Sequence, residues 1–198
     1  MNNIPTADYQ VFYGSQNKNS QCNFDLPVVV KPSNQGSSIG ISIVREEKEW
    51  QPAMDLAFSY AEEVLVEKFI DGKLLAIGMN GEHAMPIVHI RPKSGFYDYE
   101  AKYTRGKTEY VCPADLSSEE TQRCQDTAVK VYQALRGSGM PRVDVILDSE
   151  GTPHVLEMNT IPGMTPTSLL PMAAKESGVG FDDLVIEILK SAQLDYNE

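Results

Sequence analysis

The chain has 198 residues, 41% of them hydrophobic, with 17 basic and 28 acidic side chains and a formal net charge of -11. This length allows one substantial domain or two small lobes, and the composition supplies a real hydrophobic core. The negative charge argues against a nucleic-acid or anionic-membrane surface, so any anionic ligand must be held by local Lys, Arg and backbone N–H groups. No apolar run is long enough to span a membrane, and the N-terminus lacks a signal-peptide pattern. The 3 cysteines are scattered and predict no disulfide framework, so a cytoplasmic location is expected.

The first half of the chain is predicted to contain several strands and one helix. The first two dozen residues are polar and are expected to form loops. Apolar runs bounded by turn residues predict strands at residues 26–32, 39–44, 64–70, 74–79 and 85–90. The dipeptide Asn80-Gly81 is a strong hairpin-turn signal between the last two strands. A helix is predicted from apolar side chains at helical spacing, namely Trp50, Met54, Ala57, Phe58 and Ala61.

The second half mixes predicted helices with one predicted hairpin. Residues 91–111 are polar and aromatic without a clean period, which indicates a long ordered loop. Ser117 and Glu120 form a capping box ahead of a helix that ends at Gly137. A short helix is expected near residues 168–175 and an amphipathic helix over residues 181–192. Antiparallel hairpins mixed with helices, without β-α-β alternation, predict an α+β fold.

The predicted hairpin at residues 143–148 and 155–159 carries oxygen-bearing side chains. Glu157 and Asn159 share one face of their strand, because side chains alternate between faces. Asp144 joins that face if the hairpin loop has two or four residues, and does not if it has three. Two carboxylates and an amide oxygen suit Mg²⁺, which leaves coordination positions for phosphate oxygens. The alternative interpretation is a solvated polar face on an antiparallel hairpin.

Three other segments are candidates for binding phosphate or carboxylate groups. The loop at residues 31–40 matches no phosphate-loop motif, but it can fold over a polyphosphate where Gly36 permits close approach; a plain hairpin turn is the alternative. Lys102, with tyrosines on both sides, can meet a transferring phosphoryl group, or it lies in an exposed loop. Residues 165–169 offer the N-terminus of a helix, and the alternative there is a helix simply capped by Thr167 and Ser168.

In this order, these segments resemble the ATP-grasp portion of the D-alanine–D-alanine ligases. The matching blocks are residues 30–33, 36–40, 65–70, 96–103, 112–114, 142–144 and 157–165. The resemblance begins near Ile4-Pro5-Thr6 and continues to the last helix. It implies an ATP-grasp fold, in which two subdomains with antiparallel sheets sandwich the nucleotide. Here the subdomains are expected at residues 1–72 and 73–198.

The resemblance also implies an activity. An ATP-dependent, ADP-forming ligase of this family phosphorylates the carboxylate of one D-alanine, and the amine of a second D-alanine then attacks the acylphosphate. The product is a peptidoglycan precursor, and the cofactors are ATP and two Mg²⁺ ions, with Mn²⁺ as an alternative. The family's N-terminal substrate-binding domain has no counterpart in this sequence, so a catalytic fragment that need not be active alone is expected. Another ATP-grasp carboxylate–amine ligase, a non-catalytic nucleotide-binding module and a homodimeric assembly remain open.

Residue roles are carried over from the matching blocks. The residues that the resemblance implies for ATP are Lys31, Glu67, Lys68, Phe69, Ile70 and Lys102. Those implied for the metal ions are Asp144, Glu157 and Asn159. Arg142 and the Gly163 N–H are implied to stabilise the tetrahedral intermediate. Ser168 and the Leu169 N–H are implied to bind the carboxylate of the second D-alanine. Ser37 and Tyr103 are implied to form a network over the first D-alanine. At Leu74 the sequence departs from the family, which commonly has a Glu that hydrogen-bonds the ribose.

Overall fold

The computed structural model describes residues 3–14, 22–93, 97, 104, 106–165 and 167–192. These residues contain ten strands and four helices, and the predicted α+β class is confirmed. By compactness the chain divides into unit 1 (Met1–Thr6, Asp71–Arg91 and Tyr110–Glu198) and unit 2 (Ala7–Ile70 and Pro92–Glu109). Over the described residues, no helix combines the length and the apolar character needed to cross a bilayer.

The strands are β1 (Tyr9–Tyr13), β2 (Val28–Pro32), β3 (Ser42–Val44), β4 (Glu63–Lys68), β5 (Lys73–Asn80), β6 (His83–Ala84), β7 (Val88–Pro92), β8 (Thr108–Val111), β9 (Arg142–Leu147) and β10 (Pro153–Asn159). The helices are α1 (Glu47–Phe58), α2 (Ser118–Ala134), α3 (Leu169–Glu176) and α4 (Phe181–Ser191).

Four sequence predictions need correction. Strand β1 lies where loops were expected, and β8 lies inside the segment predicted to be a long loop. Helix α1 ends at Phe58, so Ala61 is not part of it. Of the strand predicted at residues 85–90, only residues 88–90 are in a strand, β7, and the short β6 precedes them; the turn at Gly81 is present with a positive φ of 57°. Much of the remaining predicted loop, including residues 98–103, lies outside the described residues.

Unit 2 is built on an antiparallel sheet with the strand order β1-β4-β2-β3. Alternate residues of the sheet point toward α1, where Val28, Val30, Val64 and Val66 are fully buried against Met54 and Ala57. Because side chains alternate along a strand, the opposite face of β2 and β4 carries Lys31 and Glu67. One face therefore supplies the core and the other is left for polar contacts.

Unit 1 contains a larger sheet with the order β10-β9-β5-β7-β8, in which β6 also pairs with β5. Helix α2 covers one face, where Val143, Val145 and Leu147 join a buried apolar cluster. The predicted capping box is present at its start: the Glu120 N–H donates to Ser117 Oγ at 3.1 Å, and the Ser117 N–H donates to Glu120 Oε2 at 2.7 Å.

Helix α3 packs on the other face of this sheet, near Gly78 of β5. A Cβ atom at Gly78 would lie 2.8 Å from Leu170 Cδ1, so the absence of a side chain permits this close packing. Gly78 pairs with Arg142, and Ala76 pairs with Asp144. The polar residues of β9 therefore lie on the sheet face that α3 approaches, opposite the α2 core.

Candidate functional site

The hairpin of β9 and β10 brings the predicted metal-binding residues onto one face. Glu157 is the cross-strand partner of Asp144, and Asn159 is the partner of Arg142. Direct cross-strand partners point to the same side of a sheet. The predicted common face of Asp144, Glu157 and Asn159 is therefore confirmed, and Arg142 shares it.

The hairpin reaches this register with a different loop length from the two or four residues predicted. Leu147 pairs with Pro153, so the loop spans residues 148–152 and has neither two nor four residues. With this loop alone, Leu156 would lie opposite Asp144. A β-bulge between Val155 and Glu157 adds one residue to β10 and moves Glu157 into that place. Loop and bulge compensate each other, which restores the face that the alternation of side chains indicated.

Arg142 and Asp144 form a bidentate ion pair along β9. Arg142 Nε lies 2.7 Å from Asp144 Oδ1, and Arg142 Nη2 lies 2.7 Å from Asp144 Oδ2. The two side chains are only 15% and 12% exposed, so solvent screens the pair weakly. A bidentate, charge-assisted contact of this kind fixes both side chains. Sequence reasoning missed this pair, although the spacing of two residues on a strand already puts both side chains on one face.

Glu157 and Asn159 complete the polar face. Glu157 is exposed, and Asn159 Oδ1 accepts a hydrogen bond from the Ile161 N–H at 3.2 Å. Within the described ranges, no cluster of three or more His, Cys, Asp or Glu side chains is placed to hold a metal ion. The set of two carboxylates and one amide oxygen fits Mg²⁺, which takes few protein ligands and completes its shell with water and phosphate oxygens.

A second feature of unit 1 is the turn that leads into α3. Ser168 Oγ accepts from the Thr165 N–H at 2.9 Å, and a Cβ atom at Gly163 would lie 3.0 Å from the same oxygen. Ser168 occupies the N-cap position without a side-chain bond to the helix backbone, so a simple side-chain cap by Ser168 is not what the structure contains. Gly163, Ser168 and Leu169 are thereby brought together at the start of α3.

In unit 2 an ion pair joins Lys31 of β2 to Glu67 of β4. Lys31 Nζ lies 2.7 Å from Glu67 Oε1, with the side chains 21% and 16% exposed. Lys68 pairs with the fully buried Val28, so its side chain leaves the strand on the α1 side. The Phe69 N–H donates to the carbonyl oxygen of Pro27 at 3.2 Å, and Ile70 follows it at the edge of the unit. The structure thus joins Lys31 and Glu67 but not Lys68.

The loop between β2 and β3 has an unusual backbone. Ser37 and Ser38 have φ angles of 54° and 60°, and Gly40 has a φ of 73°. Left-handed conformations are costly for residues with a Cβ atom and often occur at functional sites. Ser38 Oγ donates to the carbonyl oxygen of Tyr97 at 3.1 Å, which ties this loop to the segment before Lys102. Lys102 and Tyr103 themselves lie outside the described residues.

The cysteines of unit 1 are poor nucleophiles. Burial raises the pKa of Cys112 to about 11, with a smaller contribution from Glu176, and burial raises the pKa of Cys124 to about 11. Both thiols therefore stay protonated at neutral pH, whereas nucleophilic cysteines act as thiolates. Neither thiol is therefore suited to act as a nucleophile.

Comparisons with known proteins agree with the geometry. The family model described as D-ala D-ala ligase C-terminus matches residues 1–190. A D-alanine--D-alanine ligase from Geotalea uraniireducens (strain Rf4) is 44% identical over 192 residues, which cover 96% of this chain and 62% of that protein. The solved VanG D-Ala:D-Ser ligase from Enterococcus faecalis has a TM-score of 0.83 at 32% identity, with 96% of this chain and 57% of that chain covered.

A solved D-alanine--D-alanine ligase from Bacillus anthracis complexed with ATP has a TM-score of 0.77 at 31% identity, with 95% of this chain and 61% of that chain covered. This chain therefore spans about three fifths of the length of these relatives. The likeness confirms the predicted ATP-grasp fold. The chain belongs to the D-alanine–D-alanine ligase family, within the part that the C-terminal family model covers.

Proposed function

We propose that this chain is the nucleotide-binding and catalytic part of an ATP-dependent, ADP-forming ligase that joins two D-alanines. The observation that carries the proposal is the hairpin face of Arg142, Asp144, Glu157 and Asn159 in a chain of this family. The dipeptide would serve as a peptidoglycan precursor, made in the cytoplasm where ATP is available. Units 1 and 2 would correspond to the two ATP-grasp subdomains.

The nucleotide would be held by residues of unit 2. Glu67 would accept a hydrogen bond from the adenine amino group, with Phe69 and the Ile70 backbone beside the ring. Lys31 and Lys68 would contact ATP from opposite faces of the sheet, and Lys102 would meet the γ-phosphate. The 2.7 Å contact between Lys31 and Glu67 supports this arrangement, because it holds both side chains on one sheet face before ligand arrives.

Asp144, Glu157 and Asn159 would hold two Mg²⁺ ions, or Mn²⁺ in their place. When bound, the ions would neutralise charge on the phosphate groups. The supporting observation is the donor set itself, two carboxylates and an amide oxygen on one face of the hairpin.

The reaction would proceed without a covalent enzyme intermediate. A carboxylate oxygen of the first D-alanine would attack the γ-phosphorus, and the bond from that phosphorus to the β-γ bridging oxygen would break to release ADP. The amine of the second D-alanine would then attack the acylphosphate carbon, lose a proton and expel phosphate. The protonated thiols at Cys112 and Cys124 agree with a scheme that uses no nucleophile from the chain.

The substrates would be oriented mainly by unit 1. Arg142 and the Gly163 N–H would donate to the oxyanion of the tetrahedral intermediate. Ser168 and the Leu169 N–H would bind the second carboxylate, and Ser37 with Tyr103 would form a network over the first substrate. The spacing of 3.0 Å between a Cβ atom built at Gly163 and Ser168 Oγ supports a shared role for these two residues.

A second candidate is a ligase that joins D-alanine to a different amine-bearing partner. It is favoured by the similarity to a D-Ala:D-Ser ligase, which has a TM-score of 0.83. Such an enzyme would use the same hairpin and differ in the pocket for the second substrate.

Phosphate release from MgATP on addition of D-alanine tests the proposal when this chain is joined to the N-terminal part of its Geotalea uraniireducens relative, with the product identified by mass spectrometry. We expect release that depends on D-alanine and yields D-alanyl-D-alanine. Release that requires D-serine or another amine would support the second candidate. Binding of MgATP with no release in the presence of any amino acid would contradict both and indicate a nucleotide-binding module.

A further inference from the structure

The Arg142–Asp144 pair involves both carboxylate oxygens of Asp144. Nε and Nη2 of the guanidinium each lie 2.7 Å from a different carboxylate oxygen. Both residues belong to β9 and are separated by one residue, so the strand itself puts the two side chains on one face. Asp144 as a residue is 8% exposed, so solvent cannot readily replace Arg142 as its partner.

The neighbours of this pair explain why a cation is needed there. Glu157 lies directly opposite Asp144 across the hairpin, and like charges in that position repel. On the other side, Asp144 pairs with Ala76 and Arg142 pairs with Gly78, so β5 brings no charge at these positions. Arg142 therefore offsets one of the two facing carboxylates, and the paired positions of β5 supply no other cation.

We propose that Arg142 is the resident counter-ion of Asp144, and that Arg142 and a divalent cation compete for this carboxylate. The inference rests on the proposed function and adds a regulation to its metal site. The site would bind a free divalent cation weakly, because the cation would approach a guanidinium already bonded to both oxygens. A cation that arrives with a polyphosphate brings negative charge that gives Arg142 a new partner. Loading of the metal would thereby free Arg142 to bind an oxyanion.

Titration with Mn²⁺ in the absence of nucleotide tests the competition between Arg142 and the cation for Asp144. Electron paramagnetic resonance of the free ion measures how much Mn²⁺ is bound. We expect Arg142→Gln to tighten Mn²⁺ binding on the order of tenfold, since one positive charge close to the ion is removed. Arg142→Lys keeps the charge but loses the bidentate contact, and should tighten binding less. Arg123→Gln is the matched control: Arg123 is an exposed α2 residue 3.0 Å from Glu119, and its variant has the same net charge and should bind like the wild type.

A double variant shows whether the gain arises at Asp144. Adding Asp144→Asn to Arg142→Gln should abolish the tighter binding. Unchanged or weaker Mn²⁺ binding in Arg142→Gln, or an equal gain in Arg123→Gln, would overturn the proposal. Circular dichroism checks folding. If Arg142→Gln does not fold, Arg142→Lys is used in its place, and Mn²⁺ binding no tighter than in the wild type would overturn the proposal. Calorimetry of the wild type with MgATP separates the two claims: absent binding contradicts the proposed function, while the Mn²⁺ comparison still decides the role of Arg142.

Discussion

Lys31 and Glu67 illustrate how two residues can be prepared for a ligand before it binds. They lie on neighbouring strands of unit 2, on the face opposite α1, with 2.7 Å between Lys31 Nζ and Glu67 Oε1. Their partial burial makes the pair stronger than a fully exposed one. In the proposed function each would turn toward a different part of ATP, so the pair keeps both charges compensated in the free protein.

Replacing Lys31 should therefore affect nucleotide binding more than folding. We expect Lys31→Gln to weaken MgATP binding by about 10- to 100-fold, since a hydrogen bond to a charged group contributes roughly 1.5–3 kcal/mol. Calorimetry measures the change. Lys48→Gln is the control, because Lys48 lies in the same unit but is 75% exposed and pairs with Glu46 on the surface. Equal MgATP affinities of the two variants would contradict the role of Lys31.

The loop between β9 and β10 is stabilised by a single carboxylate. Asp148 accepts from the N–H groups of Glu150 at 2.9 Å and Thr152 at 2.8 Å, and its Oδ2 lies 2.8 Å from His154 Nε2. The hydrogen bond from the Thr152 N–H lowers the pKa of Asp148 from the usual 3.8, and the bond with His154 makes the second-largest contribution. These bonds set the length of the loop, and the loop helps to set the register that places Glu157 opposite Asp144.

A lowered pKa has a defined consequence for acid stability. In the folded state Asp148 holds its proton less tightly than in the unfolded chain, so its contribution to the free energy of unfolding is complete above the unfolded pKa. That contribution is lost as the pH falls through the folded pKa. Asp148→Asn should thus be less stable than the wild type near pH 6, and the difference should shrink below about pH 4. Urea unfolding at several pH values measures it; a difference that stays constant down to pH 2.5 would contradict the assignment.

Gly72, between β4 and β5, is required for a close backbone approach. A Cβ atom there would lie 2.2 Å from the carbonyl oxygen of Leu147 at the end of β9. We expect Gly72→Ala to lower the free energy of unfolding by about 1–3 kcal/mol, the usual range for overpacking. Gly36→Ala is the control, because no atom lies within 4 Å of a Cβ built at Gly36. If urea unfolding gave the two variants equal stability, the close approach at Gly72 would be refuted.

The elements that the sequence predicted well are those with a regular pattern. The capping box of α2 and the alternation on β9 and β10 act through neighbouring residues, and both are present. Strand β1 was missed because it lies at a sheet edge, where Tyr9 and Tyr13 are 61% and 45% exposed and only Phe12 is buried. Its pairing with β4 depends on tertiary contacts that no local pattern reveals.

The candidate site was predictable in part, for related reasons. The shared face of Asp144, Glu157 and Asn159 follows from side-chain alternation, but the five residues 148–152 and the bulge at Leu156 do not. Two such changes cancel in the final register and leave no trace in the hydrophobic pattern. The contact between Arg142 and Asp144 could have been expected from their spacing. The roles of Lys102 and Tyr103 stay predictions, because these residues lie outside the described ranges.

At the scale of the whole molecule, each unit has its own core and its own set of proposed contacts. Unit 2 carries the proposed nucleotide-binding residues Lys31 and Glu67 on the sheet face opposite α1. Unit 1 carries the proposed metal residues and Arg142 on the sheet face opposite α2, and the proposed substrate residues Gly163, Ser168 and Leu169 at the start of α3. The net charge of -11 gives no general attraction for ATP, so binding must depend on these local groups.

The central claim is that the hairpin face of β9 and β10 binds the metal ions of MgATP. Calorimetric titration of MgATP into the wild type, Asp144→Asn and Glu157→Gln tests it most directly, with Asp126→Asn on the exposed face of α2 as the charge-matched control. We predict that the wild type and the control bind alike and that each hairpin variant loses affinity on the order of tenfold or more. Equal binding by all four proteins, or no binding by the wild type, would contradict the account.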